Sequence, residues 1–187
     1  MKSPFNFIVQ PFEEKRYNNT KSIGGIDFVV STSEEDVKHS NREAVVISTP
    51  INYCGDIEPG DILLVHHNVF KFYNDMYGRR KSGKSFLKDN LFLVDNDQFF
   101  MYKKIHNWYA HDRYCFVEPL PTEESIIFKN TKEEPLVGKM VYPNRALTRQ
   151  GVKKGDKVSF KPDSEYEFEV DGRKLYRMYD HQITMVL

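Results

Sequence analysis

The feature of this sequence that most constrains its fold is an internal repeat. The segment Phe7–Glu14 has a counterpart in Cys115–Glu124, since both contain a hydrophobic-Val-polar-Pro step followed by an acidic pair. The proline of the second copy, Pro119, follows Pro11 by 108 positions. Proline has no amide hydrogen to give to a β-ladder, so it occurs at strand ends and edges. We therefore predict that each copy begins with a strand ending at its proline.

A second match is a Gly-Asp turn that leads directly into a strand. It occurs in Ile57–Val65 and again in Val152–Phe160, with Gly155 following Gly60 by 95 positions. Glycine supplies the positive φ that such a turn needs, and aspartate can accept a hydrogen bond from its own backbone at the strand start. Both copies should therefore enter their next strand through the same kind of turn.

A third match pairs two hairpin turns. Val94-Asp95-Asn96 corresponds to Val170-Asp171-Gly172, 76 positions later, and the turns lead to Met101-Tyr102 and Met178-Tyr179. Asp-Asn and Asp-Gly are typical hairpin residues. The landmarks keep their order while their separation contracts, which indicates a duplication whose second copy lacks two stretches of the first.

The composition indicates an all-β protein with two domains, which we predict at 1–112 and 113–187. Short runs of β-branched and aromatic residues alternate with Gly, Pro, Asn and Asp, and no helical periodicity is sustained. Lys+Arg and Asp+Glu both number 27, so the net charge of zero offers no overall attraction to nucleic acid or an anionic membrane. With no long apolar run and no signal peptide, we expect a cytoplasmic protein.

The search for catalytic and metal-binding residues finds none. Cys54 and Cys115 are not part of a Cys-x-x-Cys pair, and we expect both to remain reduced thiols. His66 and His67 lie at the end of a predicted strand, where consecutive side chains point to opposite faces, so they should not bind one metal ion together. We predict a protein that is not an enzyme and has no metal or cofactor.

One motif imitates a nucleotide-binding loop. Gly78–Ser85 satisfies G-x-x-x-x-G-K-[ST], which needs a buried strand before it and a helix after it. Turn-like residues precede this segment, and only five residues separate it from the next predicted strand, so we interpret 73–90 as a basic insertion in a hairpin. It is either a solvated loop or a surface that faces an acidic partner. Nucleic-acid binding through Tyr77 and Phe86 lacks a groove to support it.

A polar segment, 13–40, contains the apolar island Ile26–Val30. Such a segment buries too little surface to order alone, yet its island can anchor it reversibly to a partner. The alternative is an ordinary hairpin with the island as an edge strand and Gly24-Gly25 as its turn.

The ordered landmarks resemble the GroES family of co-chaperonins. They are a Val-x-Pro strand, the string Thr20–Ile26 with its Gly-Gly-Ile, the strand Arg42–Ile47, the Pro-Gly-Asp segment Glu58–Val65 and the hairpin Asp95–Tyr102. The resemblance implies two tandem irregular β-barrels and a homo-oligomeric ring. It also implies that the ring is the lid of a GroEL-type chaperonin. The chaperonin, through its own ATPase, folds an unfolded client. Relatives include tandem forms in plastids and divergent forms carried by bacteriophages. If the chain is bacteriophage-encoded, the expected location is the cytoplasm of the host.

The resemblance also implies the contact residues. In the family a loop docks three consecutive hydrophobic residues after Gly-Gly onto the chaperonin, and here the middle one is Asp27. Either the partner supplies a cation, or Asp27 points to solvent; both point to a dedicated chaperonin. The predicted chaperonin-binding residues are Gly24, Gly25, Ile26, Phe28 and Val29.

Two other functions fit the sequence. The first is a GroES-fold binding module without chaperonin activity that uses residues 73–90 for another partner. The second is an enzyme that uses the nucleotide-binding-like loop. The second copy has neither Gly-Gly-Ile nor the insertion, so we predict a structural role for it.

Overall fold

The computed structural model describes residues 1–18, 20–23, 26–29, 40–122 and 133–187. The chain forms two compact units, Met1–Asn107 and Trp108–Leu187. This division lies five residues before the boundary predicted between 112 and 113. In the described part of the chain, no helix is long and apolar enough to cross a membrane.

Antiparallel strands build both units, which confirms the predicted all-β class. The strands that begin in the first unit are β1 (Phe7–Pro11), β2 (Thr20–Ile23), β3 (Ile26–Val29), β4 (Glu43–Ser48), β5 (Ile62–Val65), β6 (Phe72–Asn74), β7 (Arg80–Ser82), β8 (Phe86–Lys88), β9 (Leu91–Val94), β10 (Phe99–Lys104) and β11 (Asn107–Ala110). The second unit contains β12 (Tyr114–Pro121), β13 (Glu133–Tyr142), α1 (Arg145–Arg149), β14 (Lys157–Phe160), β15 (Tyr166–Val170), β16 (Arg173–Tyr179) and β17 (Ile183–Val186). Single 3₁₀ turns follow β1, at Phe12–Glu14, and β16, at Asp180–Gln182.

Both units use one strand order. The larger sheet runs β11-β10-β5-β4-β1-β9-β8, and the smaller sheet runs β17-β14-β13-β12-β16-β15 when read in the same direction. Six strands therefore correspond one to one, and β11 is the additional strand of the larger sheet. The predicted repeat is thus present in the pairing of the strands as well as in the sequence.

The register of these pairings is also repeated. Val9 pairs with Val46 in the first unit, as Val117 pairs with Met140 in the second. A register irregularity precedes both pairs, between Ile8 and Val9 and at the equivalent point of β12. Because a slip of one residue would reverse the faces of a strand, equal registers place equivalent positions in the two cores.

The Gly-Asp turns are confirmed as equivalent. Gly60 and Gly155 have φ values of 97° and 100°, the left-handed region that glycine adopts without strain. In both turns the aspartate carboxylate accepts a hydrogen bond of 2.8 Å from the backbone three residues earlier, Glu58 N to Asp61 Oδ2 in the first unit. β5 and β14 begin immediately afterwards.

The predicted equivalence of the hairpin turns is wrong. β9, which ends at Val94, pairs with β1, whereas its predicted counterpart β15 pairs with β16 and, within the described ranges, with no other strand. The strand that takes the place of β9 beside β12 is β16, and the turn that follows it contains Gln182. Gln98 Oε1 accepts a hydrogen bond from the backbone N–H three residues earlier, and Gln182 repeats this bond. Asp-Gly signals a turn locally, but long-range pairing decides which strands the turn joins.

The two cores occupy equivalent positions with different residues. Phe7 and Val94 are both fully buried in the first unit, and their counterparts in the second are Cys115 and Met178. In the first unit the large side chain of Phe7 lies opposite the small Val94, whereas in the second the small Cys115 lies opposite the larger Met178. Cores tolerate such exchanges when the total volume is kept. Burial raises the pKa of the Cys115 thiol to about 12, so this core residue is uncharged.

The described sheets are open. Neither strand order returns to its first strand within the residues that the structure describes, so the two predicted barrels are not observed as closed sheets. What the units share is the order and register of six antiparallel strands.

Candidate docking site

The predicted docking residues belong to a separate hairpin. β2 and β3 pair antiparallel as a two-stranded sheet, with Ile23 opposite Ile26 as the last pair. Ile26, Phe28 and Val29 lie on β3. Gly24 and Gly25, the two residues between the paired ends, lie outside the described residues. The backbone pairing is that of the hairpin alternative, and contact with a partner is not tested by it.

The hairpin is inserted between β1 and β4, and the two ends of this insertion lie close together. Tyr17 and Ser40 form an antiparallel bridge, and the backbone N–H of Asn41 donates to the Arg16 carbonyl at 3.0 Å. Ser40 and Asn41 are both buried. The two ends of the predicted docking segment, the polar segment 13–40, are therefore held together. We call this place the loop root (residues 12–17 and 40–43).

Asn41 holds the loop root together. Its side-chain Nδ2 donates to the carbonyl of Phe12 at 3.0 Å and to that of Lys15 at 2.7 Å, while its Oδ1 accepts from the backbone N–H of Glu43 at 2.9 Å. The residue is 3 % exposed. One buried amide thus satisfies three backbone groups, which is the usual arrangement for a buried polar side chain.

Arg16 connects the loop root to the basic insertion. Its guanidinium carbon lies 4.2 Å from the ring centroid of Phe72 and 4.7 Å from that of Phe92, and a third ring, Phe86, lies at 5.1 Å. It also donates to Ser82 Oγ at 3.0 Å. Burial lowers the pKa of Arg16, and the faces of the aromatic rings compensate the buried cation.

Tyr17 adds a second connection at the same place. Its ring stacks on Phe72 with centroids 6.1 Å apart, and its hydroxyl accepts from the backbone N–H of Phe72 at 2.9 Å. Strands β6 and β7, which have no counterpart in the strand order of the second unit, therefore support the loop root. Sequence reasoning missed Arg16, Tyr17 and Asn41, because nothing in a polar segment indicates which of its residues meet a distant hairpin.

The nucleotide-binding-like motif forms turns and strands. Residues 80–82 of the motif are strand β7, and residues 86–88, directly after it, are strand β8. A phosphate-binding loop requires the N-terminus of a helix at that point. The predicted interpretation of 73–90 as an extension of hairpins matches this secondary structure.

The tip of the β6–β7 hairpin presents two apolar side chains to solvent. Asp75 Oδ1 accepts from the backbone N–H groups of Tyr77 and Arg79, both at 2.9 Å. These bonds lower the pKa of the Asp75 carboxyl and fix the turn. Met76 is 96 % exposed and Tyr77 is 82 % exposed.

The two adjacent histidines lie side by side, which corrects the prediction that they point apart. β5 ends at Val65, so strand alternation does not apply to His66 and His67. Their ring centroids are 4.0 Å apart. The pKa of His67 is lowered to about 4, mainly because the ring is partly buried and secondly because His66 lies beside it.

This pair predicts a pH dependence of stability. Since the pKa of His67 is about 4 in the fold against 6.5 ordinarily, the unfolded chain binds more protons between these values. Stability should therefore be fully present above about pH 6.5 and fall toward pH 4. Replacing His67 with Asn should reduce this loss, measured as the pH dependence of hydrogen exchange in β5. The control is His106→Asn, at an exposed turn. Equal pH dependence of wild type and His67→Asn would contradict the prediction.

No group of three or more His, Cys, Asp or Glu in the described part of the chain is arranged to hold a metal ion. No family model matches the chain, and no curated protein matches it either.

Proposed function

We propose that this chain is a co-chaperonin of the GroES type, which caps the folding chamber of a GroEL-type chaperonin as a homo-oligomeric ring. The observation that carries the proposal is the docking segment: Thr20–Ile26 with its Gly-Gly-Ile string belongs to a hairpin outside both large sheets. The ends of this segment are joined at the loop root. A short hydrophobic segment on a fixed base can bind a partner reversibly, as a lid requires.

The proposal extends to the fold of both units. The six-strand order that they share supports descent from one GroES-like module, whose first copy carries the docking hairpin and the basic insertion. The second copy then enlarges or braces the lid. Two barrel-like modules in one chain remain part of the proposal, since the described sheets are open.

The strand assignment bears on Asp27. Alternate residues of a β-strand share a face, so positions 26 and 28 fall on one face of β3 and position 27 on the other. The proposal therefore assigns the chaperonin contact to Ile26 and Phe28. It leaves Asp27 and Val29 at the edge of the contact.

The test is binding to a GroEL-type chaperonin in the presence of nucleotide, followed by native mass spectrometry. Replacing Ile26 and Phe28 together by Asp should weaken binding at least about 30-fold, because two carboxylates would enter a desolvated groove. The matched control is Ile127→Asp, which lies in the connection between β12 and β13, the counterpart of the connection that holds the docking hairpin.

Each outcome is informative. Loss of binding in the double variant alone supports docking by the first unit. Binding that survives the double variant contradicts the contact assignment. Loss of binding with Ile127→Asp would show that the second unit docks as well, and would end its purely structural role. Wild-type protein that binds no chaperonin would favour a GroES-fold binding module.

A further inference from the structure

Two segments of the chain carry opposite charge without internal compensation. The first, residues 79–88, contains five cations and no carboxylate: Arg79, Arg80, Lys81, Lys84 and Lys88. The second, residues 163–171, contains five carboxylates and no cation: Asp163, Glu165, Glu167, Glu169 and Asp171. We call them the basic segment and the acidic segment. The first belongs to the first unit and the second to the second unit.

The basic segment has a fixed geometry. The β6–β7 pairing and the hydrogen bond from Leu93 N to Ser85 O at 2.7 Å hold the strands on either side of Lys84. Arg80 packs its guanidinium 3.8 Å from the ring centroid of Phe72. The carboxylate of Asp75 pairs with Lys81 at 3.2 Å and accepts the backbone hydrogen bonds of the turn that it fixes. All five cations are exposed.

The acidic segment is an edge strand. β15 pairs with β16 on one side and is the last strand of its sheet among the residues that the structure describes. Phe168 and Val170 are buried, so Glu165, Glu167 and Glu169 alternate with them on the exposed face. Alternate residues of a strand lie about 7 Å apart, which gives a row of carboxylates.

Little of this negative charge is neutralised within the second unit. In the described residues, Glu167 has an ion pair with Lys174 at 3.2 Å, and neither Glu165 nor Glu169 has a cation within ion-pair distance. An exposed sheet edge with a row of like charges is a surface that does not bind another copy of itself. It would attract a surface of opposite charge.

We propose that the basic segment of one chain binds the acidic edge strand β15 of a second copy. The surfaces differ, so the contact is head-to-tail, and repetition of it closes a ring or extends a filament. Phe86 and Leu87, each 37 % exposed beside the basic side chains, supply apolar area to the same contact. The proposal rests on the proposed function in that it names the contact that builds the ring, and it does not involve the docking hairpin. Charge-reversed variants that associate like wild type would overturn this contact alone, whereas a monomeric wild type would also contradict the proposed ring.

Charge reversal tests the contact in the full-length chain. The first variant carries Arg79→Glu, Lys84→Glu and Lys88→Glu, leaving Arg80 and Lys81 to their contacts with Phe72 and Asp75. The second variant carries Glu165→Lys and Glu169→Lys. The control carries Arg149→Glu and Lys153→Glu, two exposed cations outside both segments.

Sedimentation velocity over a wide concentration range is the measurement, with circular dichroism to confirm folding. Wild type and control should self-associate at low salt, and high salt should weaken the association because exposed charges are screened over about 10 Å. Each charge-reversed variant alone should associate at least about tenfold more weakly, since several exposed ion pairs become repulsive. An equimolar mixture of the two variants should associate again, because each offers the surface that the other lacks.

Three results would overturn the proposal. The first is a wild type that stays monomeric at low salt, and the second is charge-reversed variants that associate like wild type. The third is a chain carrying both sets of substitutions that associates while the mixture does not, which would place the contact within one chain. Binding of single-stranded RNA by the basic segment of a monomeric wild type would assign that segment to nucleic acid instead.

Discussion

Replacing Asn41 with alanine is expected to lower the free energy of unfolding of the first unit by about 3 kcal/mol. The side chain is almost fully buried, and its loss removes the hydrogen bonds that it makes with the carbonyls of Phe12 and Lys15 and with the N–H of Glu43, while the Phe12 carbonyl keeps a bond of 3.4 Å from Lys15 N. A buried group that loses its partner costs about 1–3 kcal/mol, and rearrangement of the loop root should recover part of the sum. Urea denaturation followed by hydrogen exchange in β1 and β4 measures the change.

The control for this variant is Asn107→Ala, which removes an exposed amide from β11. It should change the free energy of unfolding by no more than about 0.5 kcal/mol. An Asn41→Ala protein as stable as the control would show that the loop root does not depend on this amide. Because the root positions the docking segment, the proposed function also expects weaker chaperonin binding by Asn41→Ala at temperatures where the unit remains folded.

Replacing Gly138 with alanine is expected to destabilise the second unit by about 2–3 kcal/mol. A β-carbon at this position would lie 2.3 Å from Val117 Cγ1 and 2.7 Å from the carbonyl oxygen of Glu118. The second of these atoms belongs to the backbone of β12, the strand paired with β13, so the clash can be relieved only by moving the pairing. Overpacking of a well-packed buried site typically costs about 1–3 kcal/mol.

Hydrogen exchange of the β12 and β13 amides in urea measures the unfolding of the second unit. The control is Lys139→Ala, at the next and exposed position of β13. If Gly138→Ala unfolds at the same urea concentration as wild type, the close approach of β12 and β13 at Gly138 is not required for stability.

Position 138 also shows how the two copies diverged. Its counterpart in the first unit is Ala44, because Ala44 pairs with Pro11 and Leu63 as Gly138 pairs with Pro119 and Val158. Ala44 is fully buried in its core, so the first unit accommodates the methyl group that the second excludes. The equivalence follows from the pairing register, and the sequence around these residues does not indicate it.

The sequence predicted the parts of this fold that depend on local chemistry. The strand ending at Pro11, the Gly60-Asp61 turn and the all-β class follow from residues that act on their own backbone or on the next few positions. The strand end predicted at Pro119 is wrong, because β12 continues to Pro121. Order along the chain was enough to indicate the duplication at the proline and the Gly-Asp turn. It failed at Asp171-Gly172, where a correct local turn signal was matched to the wrong pair of strands.

The candidate site divides in the same way. The Gly-Gly-Ile string and the apolar island are sequence features, and they indicated the segment that we propose to dock. The residues that hold its base, Asn41 and Arg16, meet partners up to 76 positions away, and no local pattern indicates such partners. The arrangement of His66 and His67 was predicted wrongly because β5 ends at Val65, so neither histidine lies in the strand and strand alternation applies to neither.

The sequence alone therefore determined that this protein is a β-rich duplication with a distinctive segment in its first copy. Only the tertiary structure decided which turns correspond, where the sheets stay open, and how the basic insertion supports the loop root. The physical reason is the distance along the chain over which each interaction acts. Turn preferences and strand ends arise from a residue's own φ and hydrogen-bonding capacity, whereas register and cation–π contacts arise between residues that only the folded chain brings together.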